Sequence, residues 1–157
     1  MSFATARAHL AAHGLADRVV EFDVSSATVE LAAAAVGCPP ERIAKTLAFE
    51  VDGGPILIVF AGDARVDNRG FKDQFAAKPR MIAGDRVESL AGHAPGGVCP
   101  FGAADGVPVY LDASLRRFDV VYPAAGSANS AVRLTIDELL DASGAVGWVD
   151  VSQRPSL

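Results

Sequence analysis

Residues 45–62, KTLAFEVDGGPILIVFAG, decide the fold class. Two apolar runs, Lys45 to Val51 and Pro55 to Gly62, flank Asp52-Gly53-Gly54. Glycines tolerate the positive φ of a tight turn, so the stretch predicts a β-hairpin. Upstream, Thr28 to Val36 reads as an alanine-rich helix stopped by Gly37 and Pro39-Pro40. Arg18 to Asp23 predicts a short strand. Residues 3–13 carry Phe3, Ala6, Leu10 and Ala11 at helical spacing, with Ser2 as cap and Gly14 as stop.

Downstream, Asp67 is placed to cap a short helix through Phe75. Asp85 with Glu88 three residues later has the form of a capping box. Val107 to Leu111, Asp119 to Tyr122 and Ala131 to Leu134 predict three strands. Thr135-Ile136-Asp137-Glu138 is a capping box for a helix to about Ala142, Val146 to Val151 supplies a last strand, and residues 152–157 are expected to form a loose tail. Strands outnumber helices without alternating regularly with them, and at least one pair is an antiparallel hairpin. The expected class is therefore α+β with a mixed central sheet.

The chain has 157 residues, 50% of them hydrophobic and 21% charged, enough apolar mass for one domain and little room for a second. No apolar run is long enough to span a membrane, and the start MSFATARAHL lacks the order of a secretory signal, so a cytoplasmic protein without membrane association is expected. Cys38 and Cys99 are far apart, with no spacing that closes a zinc site. His9 and His13 share a helical face but find no third ligand nearby, so neither metal nor cofactor is expected. No G-x-S-x-G, P-loop or G-x-G-x-x-G occurs, which excludes the commonest esterase, NTPase and dinucleotide-binding readings.

The net charge of −5 disfavours nucleic acid over the whole surface. One segment runs against it: Arg65, Arg69, Lys72, Lys78 and Arg80 face only Asp67 and Asp73, a local excess of +3 suited to a few phosphates and not to a long duplex. Gly96-Gly97-Val98-Cys99-Pro100-Phe101-Gly102 lets backbone amides approach a ligand, although glycine count alone favours an ordinary surface loop between helix and strand. Lys45 at the head of an apolar strand reaches either an anion at a pocket or bulk water. Ala124 to Ser130 carries short polar side chains able to bind a ribose or an amino-acid backbone, or merely to turn the chain. His93 with Cys99 gives a thiol reading, but a spacing of six sets no geometry.

In order, Ala44-Lys45-Thr46-Leu47, the Gly96 to Gly102 loop, and Tyr122-Pro123 followed by Gly126-Ser127 resemble the YbaK / prolyl-tRNA synthetase-associated domain family across roughly residues 5–150. The resemblance implies a single domain over 1–151, with a mixed, mainly antiparallel, partly barrel-like sheet flanked by helices. It implies a pocket for the aminoacylated 3′ end of tRNA and hydrolysis of a mischarged ester, free-standing or beside an aminoacyl-tRNA synthetase. Lys45 matches the family's functionally required lysine and Thr46 its pocket neighbour. Gly96, Gly97, Pro100 and Gly102 match the loop facing the substrate, and Gly126 and Ser127 the second substrate loop. Phe22 and Thr28 match the pocket wall. Cys99 and Ser130-Ala131 depart from the family's usual residues, which leaves the edited amino acid open. The rival reading is a module that binds aminoacyl-tRNA or a synthetase without hydrolysis.

Overall fold

The computed structural model describes residues 2–52, 54–83, 86–88, 98–103 and 106–153. The hairpin is its centre. Strand β2 (Ile43–Val51) pairs antiparallel with β3 (Gly54–Ala61) through eight consecutive residue pairs, from Ala44↔Ala61 to Val51↔Gly54. Asp52 turns the chain with φ 53°, a left-handed conformation that aspartate tolerates better than most side chains.

The N-terminal helix α1 (Ser2–Ala12) buries Ala6 and Leu10 completely. Strand β1 (Val19–Glu21) follows, then helix α2 (Val29–Val36). The Thr28 hydroxyl caps α2 by accepting from Leu31 N, and Gly37 ends it at φ 85°. Helix α3 (Asn68–Phe75) is capped by the Asp67 carboxylate on Gly70 N. Strands β4 (Val109–Asp112), β5 (Val120–Pro123), β6 (Ser130–Val132) and β7 (Leu134–Thr135) precede helix α4 (Ile136–Ser143) and strand β8 (Gly147–Val149). The capping box at α4 forms in both directions between Thr135 and Glu138. Asp85 lies outside the described residues, and with it the capping box expected there.

Six strands form one curled mixed sheet in the order β7-β5-β2-β3-β4-β8, and β1 pairs with β6 as a small antiparallel sheet. The β2/β3 and β5/β7 ladders are antiparallel; β2/β5, β3/β4 and β4/β8 are parallel and only two or three pairs long. The α+β class and the mixed, curled sheet agree with the sequence reading. One element divides: the single strand expected over Ala131 to Leu134 splits at exposed Arg133, because Val19 to Glu21 captures Ser130 to Val132 while β5 captures Leu134 and Thr135.

Phe49, Phe71, Phe75 and Tyr110 form a chain of rings with centroids 5.0, 4.7 and 5.3 Å apart, offset or edge-on as aromatic quadrupoles prefer. At the end of β4, the fully buried Asp112 carboxylate accepts from Ser114 N (2.9 Å), Val151 N (2.8 Å) and Ser152 Oγ (2.7 Å). Ser152 also bridges to Val66, and Gln153 N donates to Arg65 O. The tail expected from Ser152 is thus tied back at its first two residues. Among the described residues no helix is long and apolar enough to cross a membrane.

Candidate active site

Lys45 and Leu47 project from one face of β2, where α2 covers Ile43. Between that face, the β1–α2 connection, Ala124 and the Ser130-Ala131 pair lies an open cavity of about 490 Å³. Its wall is mostly apolar, with Val29 and Ala32 from α2, Met81 and Ile82 opposite, and Tyr122 from β5. Lys45, Thr46, Thr28, Ser26 and Ser130 bring its polar groups.

The Lys45 ammonium is half-buried and donates to Gly62 O (3.3 Å) and Ala64 O (2.5 Å). An ammonium has three N–H donors, so one remains without a protein acceptor among the described residues. Burial pushes its pKa below the 10.5 of an ordinary lysine; Asp63 and Glu30 act against that shift and Arg65 reinforces it. Asp63 is itself gripped by Arg117 in a two-point pair, which holds its carboxyl below the usual range. The carbonyl of Gly62 is fixed because that residue has no side chain: a Cβ there would stand 2.0 Å from Pro40 O and 2.9 Å from Val29 Cγ1.

The expected site residues separate into groups. Lys45, Thr46 and Thr28 line the cavity. Gly96 and Gly97 lie outside the described residues, and His93 with them. Pro100 and Gly102 are not among the lining residues. Gly102 instead adopts φ 68° and packs on α1, donating its N–H to His9 Nδ1 (3.1 Å), while His9 Nε2 meets Ala142 O. Among the described residues of that loop only Val98 reaches the cavity. Gly126 is buried at φ 90°, and Ser127 stands behind the wall, donating to Ser130 Oγ (2.7 Å). Phe22 does not line the cavity; its backbone holds Asn129 by two hydrogen bonds and so fixes that wall.

The basic residues spread out. Arg65 is close enough to influence Lys45, Arg69 and Lys72 are exposed on α3, and Lys78 and Arg80 line a second hollow with Glu50 and Asp52. Ser26 escaped the sequence reading, and Ser130 entered it only as the last residue of a polar loop. They are 104 residues apart and meet only because β1 pairs with β6.

Cys99 is wholly buried, its thiol directed at Phe101 O, and desolvation pushes its pKa up to about 12. A thiol so disposed is not a nucleophile at neutral pH. Any hydrolytic activity that the cavity carries is therefore expected to stay within about 3-fold of wild type in Cys99→Ala. A loss as large as that from removing Lys45, in a folded variant, would restore the thiol reading. Among the described residues no three His, Cys, Asp or Glu side chains are grouped to hold a metal.

The sequence profile of the aminoacyl-tRNA editing domain matches residues 23–142. The protein YwhH of Bacillus subtilis (strain 168), described as uncharacterized, is 47% identical over 152 residues, covering 96% of this chain and 97% of YwhH. Proline–tRNA ligase of Desulfovibrio desulfuricans (strain ATCC 27774 / DSM 6949 / MB) is 30% identical over 124 residues; the match covers 79% of this chain but 21% of the ligase. A crystal structure described as that of a candidate trans-editing enzyme for prolyl tRNA synthetase superposes with a TM-score of 0.86 at 31% identity, covering 98% of both chains. The profile spans most of the sheet and the cavity, and the chain belongs to the aminoacyl-tRNA editing domain family.

Proposed function

We propose that the protein is a free-standing aminoacyl-tRNA deacylase that hydrolyses the ester of a mischarged tRNA with water as the nucleophile. The observation that carries this reading is Lys45: a half-buried ammonium, one N–H of which is uncommitted among the described residues, in the wall of a mostly apolar cavity. An aminoacyl ester is already activated, so catalysis requires orientation and charge stabilisation more than a covalent nucleophile. Water adds to the ester carbonyl, the carbon–oxygen bond to the ribose breaks, and the ribose oxygen leaves with a proton. The products are the free amino acid and tRNA with its terminal hydroxyl restored. Lys45 orients the terminal phosphate or the ester; a vicinal ribose hydroxyl supplies or relays the proton. Family membership and the resemblance to part of a proline–tRNA ligase support a tRNA substrate and action beside a synthetase, in the cytoplasm. The test is release of amino acid from a panel of mischarged tRNAs, in which at least one must be cleared faster than it hydrolyses alone.

The charge on Lys45 sets a pH dependence. Its ammonium is present below its pKa and lost above it, and that pKa lies below 10.5. The ratio of enzymatic to spontaneous hydrolysis should therefore fall on the alkaline side before pH 10.5 is reached. A ratio that is flat or rising through that range would remove the ammonium from the mechanism.

Arg69 and Lys72 extend this reading to the tRNA body. Reversing both charges is expected to weaken tRNA binding and lower the slope of log affinity against log salt by roughly 1.4–1.8, the value for two lost phosphate contacts. An unchanged slope would leave them a solvated helix face.

A further inference from the structure

Among the described residues, the register of the sheet leaves one residue of β2 with its main chain unpaired at the cavity. Along a strand, the N–H and C=O of a residue point to one side and those of the next residue to the other. Leu57 N donates to Pro108 O, so the odd-numbered residues of β3 face β4 and the even-numbered ones face β2. Their partners, Lys45 opposite Phe60 and Leu47 opposite Ile58, turn their main-chain groups toward β3. Even-numbered residues of β2 thus present theirs to the other edge.

Among the described residues that edge is covered at both ends and open in the middle. Ile43 and Ala44 pair with β5, while Ala48 O accepts from Ile82 N (3.0 Å) and Glu50 N donates to Arg80 O (2.9 Å). Thr46 lies between. Its N–H and C=O find no partner among the described residues, its buried hydroxyl has none either, and it lines the cavity. Unpaired polar groups on one buried residue are costly unless water or a ligand completes them.

We infer that the main chain of Thr46 recognises the aminoacyl group itself, as an antiparallel neighbour residue would. The α-ammonium donates to Thr46 O, and the ester carbonyl accepts from Thr46 N–H. The fit follows from chemistry: an aminoacyl ester carries an amine and a carbonyl separated by one Cα, the pair that a strand residue offers in a two-bond antiparallel pairing. The ligand class is an L-α-amino acid ester with a free amino group. Discrimination among side chains is then left to the apolar wall, separately from recognition of the backbone. This inference rests on the ester-hydrolysing reading of the cavity.

The test uses the intact protein and tRNA charged in turn with glycine, alanine, serine, cysteine and valine. The amino acid cleared fastest is then compared with its deamino analogue and its N-acetyl derivative. Each rate is divided by that ester's spontaneous hydrolysis at the same pH, since the ammonium also activates the ester in water. The normalised kcat/KM is expected to fall about 10–100-fold for the deamino ester, the effect of one lost hydrogen bond to a charged group. The N-acetyl ester should fall at least as far, because its added group occupies the strand edge. Normalised rates within about 3-fold across the three would overturn this inference while leaving the hydrolase intact. Failure to clear any of the five aminoacyl esters would overturn the hydrolytic reading, and this inference with it.

Discussion

Lys45→Ala is expected to fold normally and to slow single-turnover deacylation by on the order of 10²–10³-fold, the effect of removing one preorganised donor worth about 3–4 kcal/mol at a transition state. Folding survives because the ammonium is only half-buried, so water can take over the carbonyls of Gly62 and Ala64. The rate does not survive, because water at the same place is neither charged nor fixed. Lys45→Arg should rescue only in part. The cradle formed by the two carbonyls accepts a compact ammonium, and a planar guanidinium cannot keep those bonds while leaving a donor at the same point in the cavity. Circular dichroism on each variant separates this outcome from unfolding. Near-wild-type rates for the alanine variant would show that Lys45 serves only to reach water and two carbonyls.

Asp112→Ala should be the most damaging substitution for stability among the polar residues described. Its carboxylate satisfies two main-chain N–H groups and the Ser152 hydroxyl at a point with no solvent exposure. Leaving two buried donors unpaired costs about 1–3 kcal/mol each, so a loss of about 2–6 kcal/mol is expected. For a domain of this size that lowers Tm by on the order of 10 °C. Deacylation per folded molecule should stay close to wild type, since Asp112 does not line the cavity. A change in Tm of under about 2 °C would mean that the C-terminal segment is held by its apolar contacts instead.

Local features of the fold were legible in the sequence because their determinants are local. The Asp52-Gly53-Gly54 turn, the Thr28 and Asp67 caps and the Thr135–Glu138 box each depend on residues within a few positions of one another. The split between β6 and β7 was not legible, because nothing near Arg133 signals that two different strands compete for its neighbours. The site divides in the same way. Lys45 stood out as a charge at the head of an apolar strand. Ser26 did not, since its meeting with Ser130 depends on a long-range strand pairing. Gly102 looked like a ligand-facing glycine, but its positive φ and its contact with Thr5 tie it to α1. Glycine content signals that a backbone must approach something closely, and says nothing about whether that is a ligand or a helix. The open edge at Thr46 becomes visible only after every ladder has been assigned a register.

The central claim is hydrolysis at the Lys45 cavity, and single-turnover release of labelled amino acid from mischarged tRNA measures it most directly. Wild type and Lys45→Ala are compared on the same panel, with tRNA binding followed in parallel. The account predicts that wild type clears at least one mischarged tRNA well above its spontaneous rate, and that the alanine variant loses about 10²–10³-fold of that rate while still folded. Tight binding of the aminoacylated tRNA by wild type, with no release above the spontaneous rate for any amino acid, would contradict it and leave a module that binds without hydrolysing.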